Sequence, residues 1–135
     1  MSRENVEVVR RANAALNEAD WDTARELFHP DVEFCDLRPA PDLPQIVRGI
    51  DGLGAVLAQW SDAYDEFGVE AYEYVDAEPW VIVDVRWHGR GKGSSVPLAD
   101  MRQADACKVL DGKIVALTTA YDDVASALAA VRPDS

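Results

Sequence analysis

Cysteine and histidine are scarce in this chain, with two of each. Cys35 and Cys107 are too few and too far apart for a disulfide scaffold, and two histidines give no metal-ligand spacing. Free thiols suit a reducing compartment, and neither a metal nor another cofactor is expected. Long apolar runs are missing too: none approaches the roughly 20 residues that a bilayer span needs. The opening MSRENVEVVRR is too polar for the apolar core of a secretory signal. A cytoplasmic protein with no membrane partner is therefore expected. Blocks of like charge are also absent. Thirteen Lys and Arg stand against 25 Asp and Glu, and the net charge of −12 is spread along the chain. That balance favours solubility and argues against nucleic acid as a partner. The one basic island, Arg86, His88, Arg90 and Lys92, includes GRGKGS, which lacks the GxxxxGK[ST] spacing and the following helix of a phosphate loop.

The 135 residues fit one domain, able to bury about 70% of its unfolded surface around a single core. Val6, Val9, Ala12, Leu16 and Ala19 recur at helical spacing and predict an amphipathic helix over 4–19. Asp20 or Asp22 then caps a short second helix with Ala24, Leu27 and Phe28 buried, closed by Pro30. DVEFCD, residues 31–36, reads as a strand. LRPAPDLPQIVRG holds three prolines and reads as a loop. A third helix opens at Asp51 as N-cap, with Leu53, Val56, Leu57, Trp60 and Tyr64 on its apolar face, and stops by Gly68. From there the period changes from 3.6 to 2. Four strand-like runs follow over 69–75, 80–88, 96–110 and 113–121, and Asp111-Gly112 is a type I′ hairpin signal between the last two. DDVASALAAV closes the chain as a short helix. Helices first and strands last predict an α+β domain, with three helices on one face of a curved antiparallel sheet.

Two acids fall where a strand should be apolar. Asp36 shares its face with Val32 and Phe34, and Asp105 shares its face with Met101, Gln103, Cys107 and Val109. Which face of the third of these four strands turns inward is open, since Ala104, Ala106 and Leu110 make the other side nearly as apolar. If Asp105 faces in, both acids converge on one cavity, and a low dielectric there drives them towards different protonation states. The bland alternative for each is a solvated edge or capping residue.

The segments ENVEVVRRANAALNEADWDTARELFHPDVEFCD, RGIDGLGAVLAQW and VLDGKIVALTTAYDD, in that order and spacing, resemble the SnoaL-like branch of the nuclear-transport-factor-2-like superfamily over residues 4–128. The resemblance implies a cone-shaped α+β barrel enclosing an apolar pocket, often in a homodimer, in a superfamily that includes polyketide cyclases, ketosteroid isomerase, limonene-epoxide-hydrolase-like enzymes and scytalone dehydratase. It sets Asp36 where ketosteroid isomerase carries its general-base Asp, and Asp105 where that enzyme carries its protonated, hydrogen-bond-donating Asp. The isomerase's oxyanion-hole Tyr lines up with Ala12, which argues against steroid isomerisation. The late catalytic Asp of the polyketide cyclases falls nearest Asp122 or Asp123, whose alternative role is to cap the last helix.

Leu16, Phe34, Trp60, Tyr64, Met101, Gln103, Cys107 and Tyr121 are the candidate pocket lining. His88 and Asp122 are lower-ranked candidates for chemistry. Two functions remain open. One is a cofactor-independent isomerase, cyclase or epoxide-hydrolase-like enzyme acting on a small apolar molecule, with Asp36 as base and Asp105 as hydrogen-bond donor. The other is a non-catalytic ligand-binding or dimerising module. A homodimer through the outer sheet face is expected, because β-strand 80–88 is apolar on both sides and the helices cover only one.

Overall fold

The structure is a computed structural model that describes residues 3–18, 20–37, 46–91 and 101–131, with the side chains of 56–57, 59–67, 87, 89–91 and 101 outside the description. The chain runs α1 (Arg3–Asn17), α2 (Trp21–Leu27), β1 (Phe28–Asp36), β2 (Ile46–Arg48), α3 (Ile50–Ala63), β3 (Tyr64–Ala77), β4 (Trp80–Gly91), β5 (Met101–Leu110), β6 (Lys113–Tyr121) and α4 (Val124–Val131). This is the expected α+β class, with four helices on one six-stranded sheet. The sheet order is β2-β1-β6-β5-β4-β3. It stays open, with β2 and β3 as its edges, so the implied barrel does not close. Nor is it wholly antiparallel, since β1 and β6 run parallel. No hairpin joins those two strands, so no short turn imposes an antiparallel direction on them. Among the described residues no helix is long and apolar enough to cross a membrane.

The helices form where the apolar stripes fall. α1 buries Val9, Ala12 and Ala15, and it ends where the Asp20 amide bonds to the Ala15 carbonyl at 2.8 Å. Asp20 then caps α2, accepting from the Thr23 amide at 3.2 Å and the Thr23 hydroxyl at 2.7 Å, which satisfies an amide that the first turn leaves unpaired. Pro30 does not close α2 but lies within β1. The β1–β6 register shifts between Phe28 and Glu33, and Pro30, which has no donor, sits in that interruption. α3 opens one residue before the expected Asp51. Gly49, at φ 87, precedes it and its carbonyl accepts from Leu53, so Asp51 lies in the first turn, where a carboxylate complements the helix dipole. α3 also ends earlier than expected, at Ala63, so Tyr64 begins β3. Asp111 and Gly112, at φ 53 and 77, form the predicted β5–β6 hairpin.

The sheet separates two cores. On the inner face Val81, Val83, Val85, Cys107, Val109 and Ile114 pack against α1, α2 and β1. On the outer face Ile82, Ala104 and Ala106 pack under Ala127, Val124 and Leu128 of α4. α4 is thus the second cover that the sequence assigned to another copy of the chain. The outer face beyond it is polar, with Arg102 to Asp84 at 2.8 Å, Arg86 to Glu70 at 3.3 Å, and the Arg102 guanidinium 4.3 Å from the Tyr72 ring centre. Ile82 is fully buried beneath α4, so Ile82→Ala should cost about 2–4 kcal/mol, read as a lowered midpoint in urea denaturation. A loss under about 1 kcal/mol would mean that α4 does not seal this face.

Candidate functional site

A cavity of about 140 Å³ lies between α1 and the inner face of the sheet. Its wall is mainly apolar. α1 contributes Val9, Ala12 and Leu16, β1 contributes Phe28 and Phe34, and β4 contributes Val83 and Val85. The polar lining side chains are few: Asn13 and Asn17 on α1, Asp105 on β5 and Thr119 on β6, with the Cys107 thiol beside them. Asn17 is committed to holding α1 on β3. Its Nδ2 donates to the Val69 carbonyl at 2.9 Å and its Oδ1 accepts from the Val69 amide at 3.1 Å.

Asp105 faces inward, which resolves the choice that the sequence left open. It pairs in register with Val83, as Gln103 pairs with Val85, and those valines belong to the inner core. The residue is 8% exposed. Its Oδ1 accepts from Gln103 Nε2 at 2.9 Å and from the Ala120 amide at 3.3 Å. The second bond has a backbone cause. Between Ala104↔Tyr121 and Ala106↔Thr118 the β5–β6 register slips, so Asp105 faces two residues of β6, Thr119 and Ala120. This is a β-bulge, and it takes the Ala120 amide out of the ladder. Ala120 sits at φ 76, a conformation that costs a non-glycine residue about 1–2 kcal/mol. The buried carboxylate answers the orphaned amide.

The bulge also decides what the cavity sees. Leu117 and Thr119 alternate onto the inner face, and an unbroken strand would place Tyr121 there as well. Tyr121 instead packs in the outer cluster with Ile82, Ala104 and Ala127, so this candidate lining residue stands on the other side of the sheet. Asp36 pairs with Thr119 across the parallel β1–β6 ladder, and the Thr119 hydroxyl donates to Asp36 Oδ1 at 3.4 Å. Asp36 is half-buried and is not among the residues lining the cavity; Thr119, 3% exposed, stands between. The two acids are therefore brought to adjacent residues of one strand, Asp105 at the cavity wall and Asp36 behind Thr119.

Of the other candidates, Leu16, Phe34 and Cys107 line the cavity, and Gln103 is buried as Asp105's donor. The side chains of Trp60, Tyr64 and Met101 lie outside the described residues. His88 is half-buried, its ring stacked where a Cβ on Gly68 would lie 3.0 Å away. Asp122 is exposed, and its neighbour Asp123 caps α4, accepting from the Ser126 amide at 2.7 Å. Burial, and after it the charge of Asp105, pushes the Cys107 thiol far above its usual range, so it stays neutral. Desolvation, with Asp36 and Glu33 adding to it, raises the Cys35 thiol in the same direction. Among the described residues no group of three or more His, Cys, Asp or Glu could hold a metal ion. Sequence reasoning missed Asn13, Asn17 and Thr119. The helical phase of the asparagines with Val9 and Leu16 was a usable signal, whereas nothing in TTAY marks a bulge.

The chain belongs to the SnoaL-like domain family, whose model matches residues 9–117. It is similar in fold to a hypothetical protein with a ketosteroid isomerase-like fold from Catenulispora acidiphila, in complex with trimethylamine, at 18% identity, with 89% of this chain and 88% of that one covered and a TM-score of 0.71. It is also similar to a putative SnoaL-like polyketide cyclase from Jannaschia (21% identity, 86% and 83% covered, TM-score 0.73) and to TerC co-crystallised with polyporic acid (19% identity, 88% and 92% covered, TM-score 0.73). No curated protein matches it.

Asp105→Leu should leave the Gln103 and Ala120 donors without their acceptor and destabilise the chain by about 2 kcal/mol or more, while Asp105→Asn, which keeps an oxygen at Oδ1, should cost less than about 1 kcal/mol. Chemical denaturation of the two variants measures the difference. Equal losses would show that the bulge does not depend on the acceptor.

Proposed function

We propose that the cavity binds one small, largely apolar molecule, and that Asp105 meets its polar group by hydrogen bonding or proton exchange. The observation that carries this reading is the burial of a carboxylate in the wall of a mainly apolar cavity. Burying a charge costs several kcal/mol unless hydrogen bonds or a ligand compensate it. A cavity of about 140 Å³ has the volume of one small ring, since an engineered apolar cavity of about 150 Å³ admits benzene. The neighbours that hold trimethylamine and polyporic acid give the small-molecule reading a precedent on this fold.

The roles differ from those implied by the resemblance to ketosteroid isomerase. Asp105 is the acid that touches the ligand, and Asp36 acts through the Thr119 hydroxyl as a positioning residue. Ala12 leaves a methyl group where that isomerase has a Tyr, so Asp105 and Thr119 supply the polar contacts. A binding module without catalysis is the second reading, favoured by the two donors that already employ Asp105 Oδ1 in holding the bulge. In either case the protein is proposed to work in the cytoplasm as a homodimer, joined through the part of the outer sheet that α4 leaves uncovered, where Tyr72 and Leu110 are exposed.

Cyclopentanone dissolved in heavy water separates the two readings. A base in the cavity would take an α-proton from carbon and return a deuteron from solvent, which proton NMR follows as loss of the α signal. The enzyme reading expects exchange at least about tenfold above background, lost in Asp105→Leu and reduced about tenfold in Thr119→Val, a loss equivalent to about 1.4 kcal/mol. Shifts of the cavity-wall amides without exchange would favour the binding module. Neither shifts nor exchange would remove the small-molecule reading.

A further inference from the structure

We infer that Asn17 controls access to the cavity, its side-chain amide bridging an entrance between the C-terminal end of α1 and β3 at Gly68 and Val69; the inference rests on the small-molecule reading of the cavity and not on any catalytic step. Exposure around the wall leads to it. The described lining residues of β1, α3, β4 and β5 are all buried. Asn17 is exposed, and apart from Leu117 the half-buried lining residues stand beside it: Asn13 and Leu16 on α1, Gly68 and Val69 on β3. Among the described residues the wall therefore reaches solvent mainly along one seam, where α1 meets β3.

Asn17 spans that seam with both ends of its amide, donating to the Val69 carbonyl at 2.9 Å and accepting from the Val69 amide at 3.1 Å. β3 is an edge strand, and in an antiparallel ladder the amide and carbonyl of one residue leave the strand on the same side. Both Val69 groups thus point off the open edge, and Asn17 takes the place of a neighbouring strand with one donor and one acceptor. The bridge lies over the cavity wall, since a Cβ on Gly68, itself a lining residue, would stand 3.9 Å from Asn17 Oδ1. It is also easily undone. Both bonds are exposed, where water competes for the same groups, and Asn17 is the last residue of α1, a helix end that opens at lower cost than the core. A ligand enters and leaves by the same opening, so the bridge governs both rates and has little effect on their ratio, the affinity.

Cyclopentanone titrated against the full-length protein tests the inference, with amide shifts of the cavity wall giving Kd and relaxation dispersion of the same amides giving kon and koff. Asn17→Ala should raise kon and koff together by about tenfold, equivalent to about 1.4 kcal/mol in the opening step, and leave Kd within about threefold. Asn17→Asp, which keeps the acceptor and loses the donor, should raise both rates by a smaller factor. Ile82→Ala, which removes packing on the opposite face of the sheet, should leave both rates within about twofold. An unchanged kon in the Asn17 variants would overturn the inference while leaving the small-molecule reading intact. So would an equal rise in Ile82→Ala, because the rates would then follow overall stability and not the bridge. Absence of any shift of the cavity amides in the wild-type protein would overturn both. Asn17→Asp decides the matter if Asn17→Ala does not fold.

Discussion

The hydrogen bond from the Ala120 amide to Asp105 Oδ1 is the contact on which the site depends. A β-bulge in the middle of a sheet removes an amide from the ladder and bends the strand. Here it also holds an alanine at φ 76, outside the region that an L-residue prefers. Both costs are local, and Asp105 offsets them locally. The consequences reach both faces of the sheet. Thr119, just before the break, keeps its inward direction and meets Asp36, while Tyr121, just after it, turns out and joins the cluster under α4. Without the bulge, Tyr121 would enter the cavity side and the strand would continue in register past Asp105.

That cavity is itself a cost. At about 24 cal/mol per Å³ of empty volume, 140 Å³ forgoes about 3 kcal/mol of packing, a large part of the 5–15 kcal/mol typical of a domain. On the outer side of the sheet Ala104, Ala106 and Ala127 are closely packed between sheet and α4. The cavity lies on the inner side, and its wall includes a carboxylate. An accidental packing defect has no reason to coincide with the most expensive group to bury. An occupant of the kind proposed would recover part of the lost contacts.

Much of this was legible in the sequence because it follows from local periodicity. β6 begins and ends where KIVALTTAY predicts, the Asp111-Gly112 turn takes its positive φ values, and α1 buries the stripe read from Val9 and Ala12. The inward direction of Asp105 was not legible. Ala104, Ala106 and Leu110 match Gln103, Cys107 and Val109 in polarity, and only the presence of α4 on one side explains why both faces of β5 are apolar. Tyr121 was misplaced for a different reason: alternation is broken by the bulge, and a bulge built on alanine has no glycine to announce it. Tyr64 was counted into α3 because Gly68 looked like a helix stop, whereas the chain becomes extended at Tyr64 without a glycine. Thr119 escaped notice because its importance lies in a parallel pairing between strands 83 residues apart, Asp36 with Thr119, which no local pattern encodes.

The pairing of structural and chemical duty in Asp105 limits how the site can vary. Its Oδ1 must remain an acceptor for the bulge to persist, so aspartate and asparagine are compatible with the backbone while an apolar residue is not. Charge is the feature that the backbone does not require. A neutral amide would hold Ala120 and avoid the desolvation of a buried ion, and Gln103 would lose little by donating to it. An apolar residue at this position would leave both donors unanswered inside the sheet, so the bulge itself restricts position 105 to an oxygen acceptor.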